Sequence, residues 1–361
     1  MLNRAILPSL IISVIIYSTV LLANTNTGKV TAAVPLWEYS QIPKKTSLRG
    51  AAIKQGSMWV TGTNNTVFVS HDAGKTWIDK SVPAKLTIDF RDIELFDRKT
   101  AIVMSIGTGE LSKLYKTVDG GNSWQLLYQN KDEKGFFDSI AFWNNKMGLL
   151  LGDPVDGYYV IKKTNDGGKT WRRILKNKLP KSIPKESPFA ASGNSIIVGQ
   201  NGKAWIAMGG FSSSIYISND YGESWQRQPT PLYQETATAG GYSMALNHQE
   251  QPFVVGGDYT QRPRTYSNMA RLIDGKWQSV NTGNRGLRTA MSCQGDICIA
   301  TGQTATDISY NAGNSWQAFD EKPNLALTQE TQGFFTLASD NDIFIGAGQN
   351  GKVGVLSIKR D

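Results

Sequence analysis

Short strand-like runs recur along the chain, each closed by a polar turn and then a tryptophan. The clearest turn is Thr117-Val118-Asp119-Gly120-Gly121-Asn122-Ser123-Trp124, which reads Ser/Thr-x-Asp-x-Gly-x-Ser/Thr-Trp. The pattern returns at residues 70–77, 164–171 and 218–225, around Asp72, Asp166 and Asp220. A fifth copy, residues 309–316, carries Asn311 in place of Asp. A sixth, Asp274-Gly275-Lys276-Trp277, keeps only the turn and the Trp. The Asp accepts hydrogen bonds from nearby backbone N–H groups and holds the turn. The Gly supplies a positive φ. The Trp opens the returning strand and buries its ring between layers.

With Trp37 included, the series runs 37, 77, 124, 171, 225, 277 and 316. That spacing is the period of a four-stranded propeller blade. It predicts an all-β, seven-bladed β-propeller in which each blade runs inner strand A, then B and C, the turn, and outer strand D at the Trp. Blades 1 to 3 open at Leu48-Arg49-Gly50, Phe90-Arg91-Asp92-Ile93 and Phe136-Phe137-Asp138. Blades 4 to 7 open at Ser192-Gly193, Gly241-Tyr242-Ser243, Leu287-Arg288-Thr289 and Gly333-Phe334-Phe335. The last blade has no turn of this kind and no strand D. The orphan strand at 35–41 is expected to complete it, which leaves no unpaired edge in the ring. Six blades plus a separate hairpin is the competing count, and it leaves both fragments unexplained.

Residues 1–23 read as an export signal: Arg4, an apolar run over 5–22, and Ala23 as a cleavage position. An uncleaved membrane anchor is the alternative. Residues 24–33 read as a polar linker and 34–361 as a single propeller domain, exported to a periplasmic or extracellular space. The formal charge of +8 is scattered, without basic runs interleaved with aromatics, so a nucleic-acid partner is not expected. A weak preference for anionic partners remains. Cys293 and Cys298 flank Gly295-Asp296; a two-residue turn there sets them opposite one another, close enough for a disulfide in an oxidising space. Two free thiols or half a metal site are the alternatives. With only His71 and His248 in the chain, no metal site is expected. The Gly-rich runs open no helix, so no nucleotide cofactor is expected either.

Out-of-place polar residues collect on the face away from the repeated turns. Arg49, Arg91 and Arg288 start A strands; Asp92 and Asp138 lie at equivalent points. Asp153 and Asp156 follow strand B of blade 3, and Asp258 and Tyr259 follow strand B of blade 5. Glu186, Tyr242 and Arg285 complete the set, and the loop at 261–268, with Arg262-Pro263-Arg264, is a contact candidate. Two readings stand open: ion pairs that lock the blades together, or a pocket for a carboxylate-bearing or sugar-like ligand.

The eight-residue turns resemble the Asp-box, or BNR repeat, of β-propeller proteins. The blade openings, together with Gly152-Asp153-Pro154-Val155-Asp156-Gly157, Phe189-Ala190-Ala191-Ser192-Gly193 and Gly256-Gly257-Asp258-Tyr259, are similar to the photosystem II stability/assembly factor family. That resemblance implies a non-enzymatic platform associated with a membrane complex, though not the photosystem as its client. The chain is expected to be a monomer that holds a protein client or anionic ligand at the Arg/Asp face. Sialidases are also Asp-box propellers. Likeness to them implies an Arg49, Arg91 and Arg288 triad on a substrate carboxylate, with Tyr242 as nucleophile, Glu186 as its helper and Asp92 as proton donor. A glycan-directed glycoside hydrolase is therefore the alternative function. Two features depart from sialidases: Gln41-Ile42-Pro43 stands where they carry Arg-Ile-Pro, and the blade count is seven rather than six.

Overall fold

A computed structural model describes residues 36–319, apart from 265 and 284, and residues 333–358. The expected export signal (1–23) and linker (24–33) lie outside the described residues. Among the described residues no helix is long and apolar enough to cross a membrane.

The described chain forms seven antiparallel sheets arranged as a propeller. Blade 1 shows the plan: inner strand Leu48–Lys54, then Ser57–Gly62, Val67–Ser70 and a short outer strand Ile78–Asp79. The other inner strands are Asp89–Leu95, Phe137–Phe142, Ile196–Val198, Ala239–Leu246, Ala290–Gln294 and Thr336–Asp340. Glu38–Gln41 pairs with Lys352–Ser357, with Glu38 opposite Val355 and Gln41 opposite Lys352. The N-terminal strand thus completes blade 7 and closes the ring, as the orphan strand requires. Blade 5 carries one addition: Glu186–Ser187 and Gly209–Gly210 join its sheet at the inner edge.

Inner and middle strands are buried on both faces, so they read as continuous apolar runs rather than alternating ones. Outer strands are short, polar and exposed. Among the described residues seven apolar clusters fill the seven gaps between neighbouring blades. Trp37, for example, packs with Phe334, Leu356 and Ile299 between blades 6 and 7.

Each Asp box is a closed hydrogen-bond circuit. In blade 1 Thr76 donates its backbone N–H to Asp72 Oδ1 (2.9 Å) and its hydroxyl to Asp72 Oδ2 (2.6 Å). Ser70 Oγ donates to Asp72 Oδ1 and accepts from the Gly74 N–H. Blades 2, 3 and 4 repeat the circuit around Asp119, Asp166 and Asp220. In blade 6 the Asn311 amide donates to Ser315 Oγ, so the circuit survives without a charge. In blades 2 and 3 the turn also ties the blade to itself: Gly120 donates to Lys99 O and Gly167 to Lys146 O, joining the C–D turn to the A–B hairpin. The boxes therefore brace the face away from the charged ring.

These circuits predict an acid limb of instability. Hydrogen bonds from Thr76, Ser123 and Thr170 hold Asp72, Asp119 and Asp166 down at about 2. The folded carboxyls bind protons less tightly than the unfolded chain does. Their contribution is therefore complete above the ordinary Asp range near ~4 and is lost as pH falls through about 2. Denaturation followed between pH 5 and 2 should show this loss, and a D72N/D119N/D166N variant should flatten it. An unchanged slope in that variant would contradict the account.

The Cys293–Cys298 disulfide forms as its register requires. The two residues are direct partners across the Gly295-Asp296 turn, with Cα atoms 4.1 Å apart.

Candidate functional site at the channel mouth

Four blades break register at the start of the inner strand. The pairing of strands A and B skips Arg49 in blade 1, Arg91 in blade 2, Asp138 in blade 3 and Tyr242 in blade 5. Asp153 is skipped in the same way between strands B and C of blade 3. Each is the extra residue of a β-bulge, a device that re-aims a side chain out of the ladder. All five line one pocket of about 550 Å³ at the mouth of the channel, with Tyr259, Phe136, Phe189, Arg262, Gln303 and Phe335 among the other walls. A further cavity of about 440 Å³ shares Arg49, Arg262, Gln303 and Phe335 and reaches Lys45.

The pocket has a floor. Before blade 4 the chain leaves its expected path, and residues 189–194 cross the channel. Arg91 donates to Ala190 O, Ser139 to Gly193 O, and Thr336 to Ser192 O. Asn194 donates to Leu337 O in blade 7, and Asn194 O accepts from the Met244 N–H in blade 5. Phe189 anchors the crossing by packing 4.5 Å from the Tyr242 ring, against Gly209, where a Cβ would lie 2.1 Å from the Phe189 ring. This diversion shortens the inner strand of blade 4 to Ile196–Val198.

Gly193 is the tight point of the crossing. Its φ is +79°, and a Cβ there would stand 2.6 Å from Asp92 Oδ1. Gly193→Ala is expected to cost about 1–3 kcal/mol, measured by chemical denaturation. Wild-type stability in that variant would contradict the fixed path of the crossing.

On the basic side of the pocket Arg49 and Arg91 lack an ion-paired counter-charge among the described residues. Arg49 Nε donates to Ser47 Oγ, and its guanidinium lies 3.7 Å from the centre of the Phe335 ring. Burial, then Arg91 and Arg262, lower Arg49 to about 10, so it stays cationic at neutral pH. Arg91 Nε is buried with no hydrogen-bond partner among the described residues. No ion pair joins Arg49 or Arg91 to a carboxylate among them; Asp89 acts on both only from longer range. On the other side, burial and then Asp153 push Asp138 well above the usual carboxylate range, and burial pushes Asp153 up too. Asp138 Oδ2 is buried without a partner.

Six of the predicted residues lie elsewhere. Asp92 sits beneath the floor, accepting from the Ile93 and Ile140 N–H groups and adjoining Ser139 Oγ. Ser139 Oγ is 2.7 Å from Asp92 and 2.6 Å from Gly193 O, and one hydroxyl proton serves one of them. Burial pushes Asp92 up to about 7, against the hydrogen bonds from Ile140, Ser139 and Ile93 that favour its charged form. Asp156 is the tip of a two-residue hairpin with φ of +53°, exposed and paired with Lys176 at 3.0 Å. Glu186 is buried and accepts from Ser212 and Ser214. Asp258 is buried within hydroxyls of Thr236, Thr238 and Thr260. Arg285 and Arg288 both grip Asp307 inside blade 6. The sialidase-like arrangement therefore does not assemble. Arg288 is fully buried and, unlike Arg49 and Arg91, does not line the pocket. The Tyr242 hydroxyl donates to Thr238 O, and burial drives its ionisation up, out of a nucleophile's range.

The fold and pocket define a class, an Asp-box β-propeller of seven blades with a floored, arginine-walled channel mouth. Within that class the chain resembles the photosystem II assembly factors. Residues 105–187 match the family model described as Photosynthesis system II assembly factor YCF48. A solved structure described as YCF48 bound to D1 peptide superposes with a TM-score of 0.64, at 14% identity, over 90% of this chain and 97% of that one. YCF48 from Cyanidioschyzon merolae gives 0.64 at 13% identity, over 89% and 98%. The GH74 xyloglucanase from Xanthomonas campestris gives 0.61 at 13% identity, over 88% of this chain and 53% of that one. At such identities the likeness is one of fold. Among curated proteins no sequence match is found.

Proposed function

We propose that this protein is an exported, non-enzymatic binding platform that holds an acidic segment of a protein client in the channel mouth. The observation that carries this reading is the set of bulged residues, above all Arg49 and Arg91, aimed into one pocket without carboxylate partners. Half-buried cations left without counter-charges cost stability unless a ligand supplies the charge. Arg forks suit carboxylates, and the apolar walls Phe136, Phe189 and Phe335 suit the rest of a peptide. A similar fold described as bound to a peptide supports a protein partner. Association with a membrane complex extends the same reading.

The Asp138 and Asp153 pair favours a second reading, a glycoside hydrolase with one raised carboxyl as acid. One experiment separates the two. The full chain is titrated with acidic peptides and assayed in parallel on a panel of sialosides, aryl glycosides and polysaccharides. Peptide binding without turnover is expected. Turnover that vanishes in Asp138→Asn would establish the hydrolase instead.

A further inference from the structure

The outer wall between blades 2 and 3 holds another basic cluster without counter-charge. Lys162, in the strand Tyr158–Thr164, stands directly opposite Arg173 in the strand Arg172–Arg173. Like charges directly opposite on paired strands destabilise a sheet. Neither has a carboxylate at ion-pair distance among the described residues. Arg173 Nε and Nη2 are buried without a partner, and so is Asn130 Nδ2. These groups and Lys131 line one cleft of about 370 Å³. The Lys162 ammonium donates to Tyr128 Oη at 2.9 Å, which leaves two of its protons uncommitted. It lies 5.2 Å from the centre of the Tyr128 ring, which stacks on Phe137.

Two carboxylates are nearby, and neither neutralises the cluster. Asp132 lines the cleft, with its Oδ1 accepting from the Lys134 N–H, but it lies beyond ion-pair distance of Lys162 and Arg173. Asp156 feels Arg173 only from beyond ion-pair distance and is itself paired with Lys176. The donors thus face one cleft in which no carboxylate reaches ion-pair distance of Lys162 or Arg173 among the described residues.

We propose that this cleft is an anion site separate from the channel mouth, taking one compact oxyanion, a phosphate or carboxylate group. An oxyanion there would accept from the Arg173 edge, the Lys162 ammonium and the Asn130 amide together, and would relieve the opposed charges. Charge-assisted bonds of this kind are the strong ones. The inference does not depend on what the channel mouth binds.

The test is thermal melting of the full chain at low salt with inorganic phosphate, phenyl phosphate or acetate. The expected result is a saturable rise in Tm in wild type and in an R49Q/R91Q variant, and its loss in K162Q/R173Q. Tighter binding of phenyl phosphate than of inorganic phosphate points to an organic ligand lying on Tyr128; the reverse points to the free ion. Without added anion K162Q/R173Q should melt at or above wild type, because the repulsion is gone. No saturable response in wild type, or one that survives in K162Q/R173Q, would overturn the proposal.

Discussion

Replacing Arg288 by alanine is expected to lower folding stability by about 3–5 kcal/mol. Arg288 is fully buried, and its Nε and Nη2 donate to Asp307 Oδ2. Its Nη1 serves the carbonyls of Arg285, Gly286 and Leu287, the turn leading into blade 6. Truncation strips those carbonyls and leaves buried Asp307 with Arg285 as its remaining cation, at 2.7 Å. That surviving contact places the loss nearer the lower end of the range. Equilibrium denaturation reads it directly. A change under about 0.5 kcal/mol, the ordinary effect of a surface substitution, would contradict the structural role.

Arg49 and Arg91 should behave in the opposite way. In an R49Q/R91Q variant two half-buried like charges, neither ion-paired to a carboxylate among the described residues, disappear. Stability should hold or rise, while affinity for an acidic peptide falls by about 2–5 kcal/mol, as for truncating a buried charge pair. Calorimetry beside denaturation separates the two quantities. Loss of stability with unchanged affinity would make these arginines structural and leave the pocket without its basic wall.

The contrast shows what a sequence can and cannot convey. Leu48-Arg49-Gly50 and Leu287-Arg288-Thr289 look equivalent, yet they are out of step by one residue. Gly50 pairs with Thr61 beside Gly62, whereas Ala290 pairs with Thr301 beside Gly302. Counted from those glycines, Thr289 matches Arg49, and Arg288 matches core residue Leu48. A one-residue shift sends a side chain to the other face. Counting back from the glycine that ends strand B would have revealed it. The same count places Phe335 in the Arg49 slot of blade 7, an apolar pocket residue that no charge pattern marks.

Blade number, ring closure and the disulfide were legible because Trp spacing, an orphan strand and a two-residue turn are local signals. The bulges at Arg49, Arg91, Asp138 and Tyr242 carry no local signature, since they depend on how the partner strand ends. The crossing at 189–194 was also hidden, because its contacts come from blades 2, 3, 5 and 7. Asp156-Gly157 was the reverse case: its Asp-Gly pair is a hairpin signal, and the turn accounts for the Asp without any ligand. Arg262 lay in a loop that sequence marked as a contact candidate, and it reaches the pocket beside Arg49.

The most direct measurement is anisotropy of labelled peptides that differ only in their number of Asp and Glu residues, titrated with the full chain at low and high salt. The account predicts affinity that climbs with acidic content, weakens with salt and vanishes in R49Q/R91Q. Equal affinity for neutral and acidic peptides, or binding untouched by that variant, would contradict a channel mouth built to receive an anionic client.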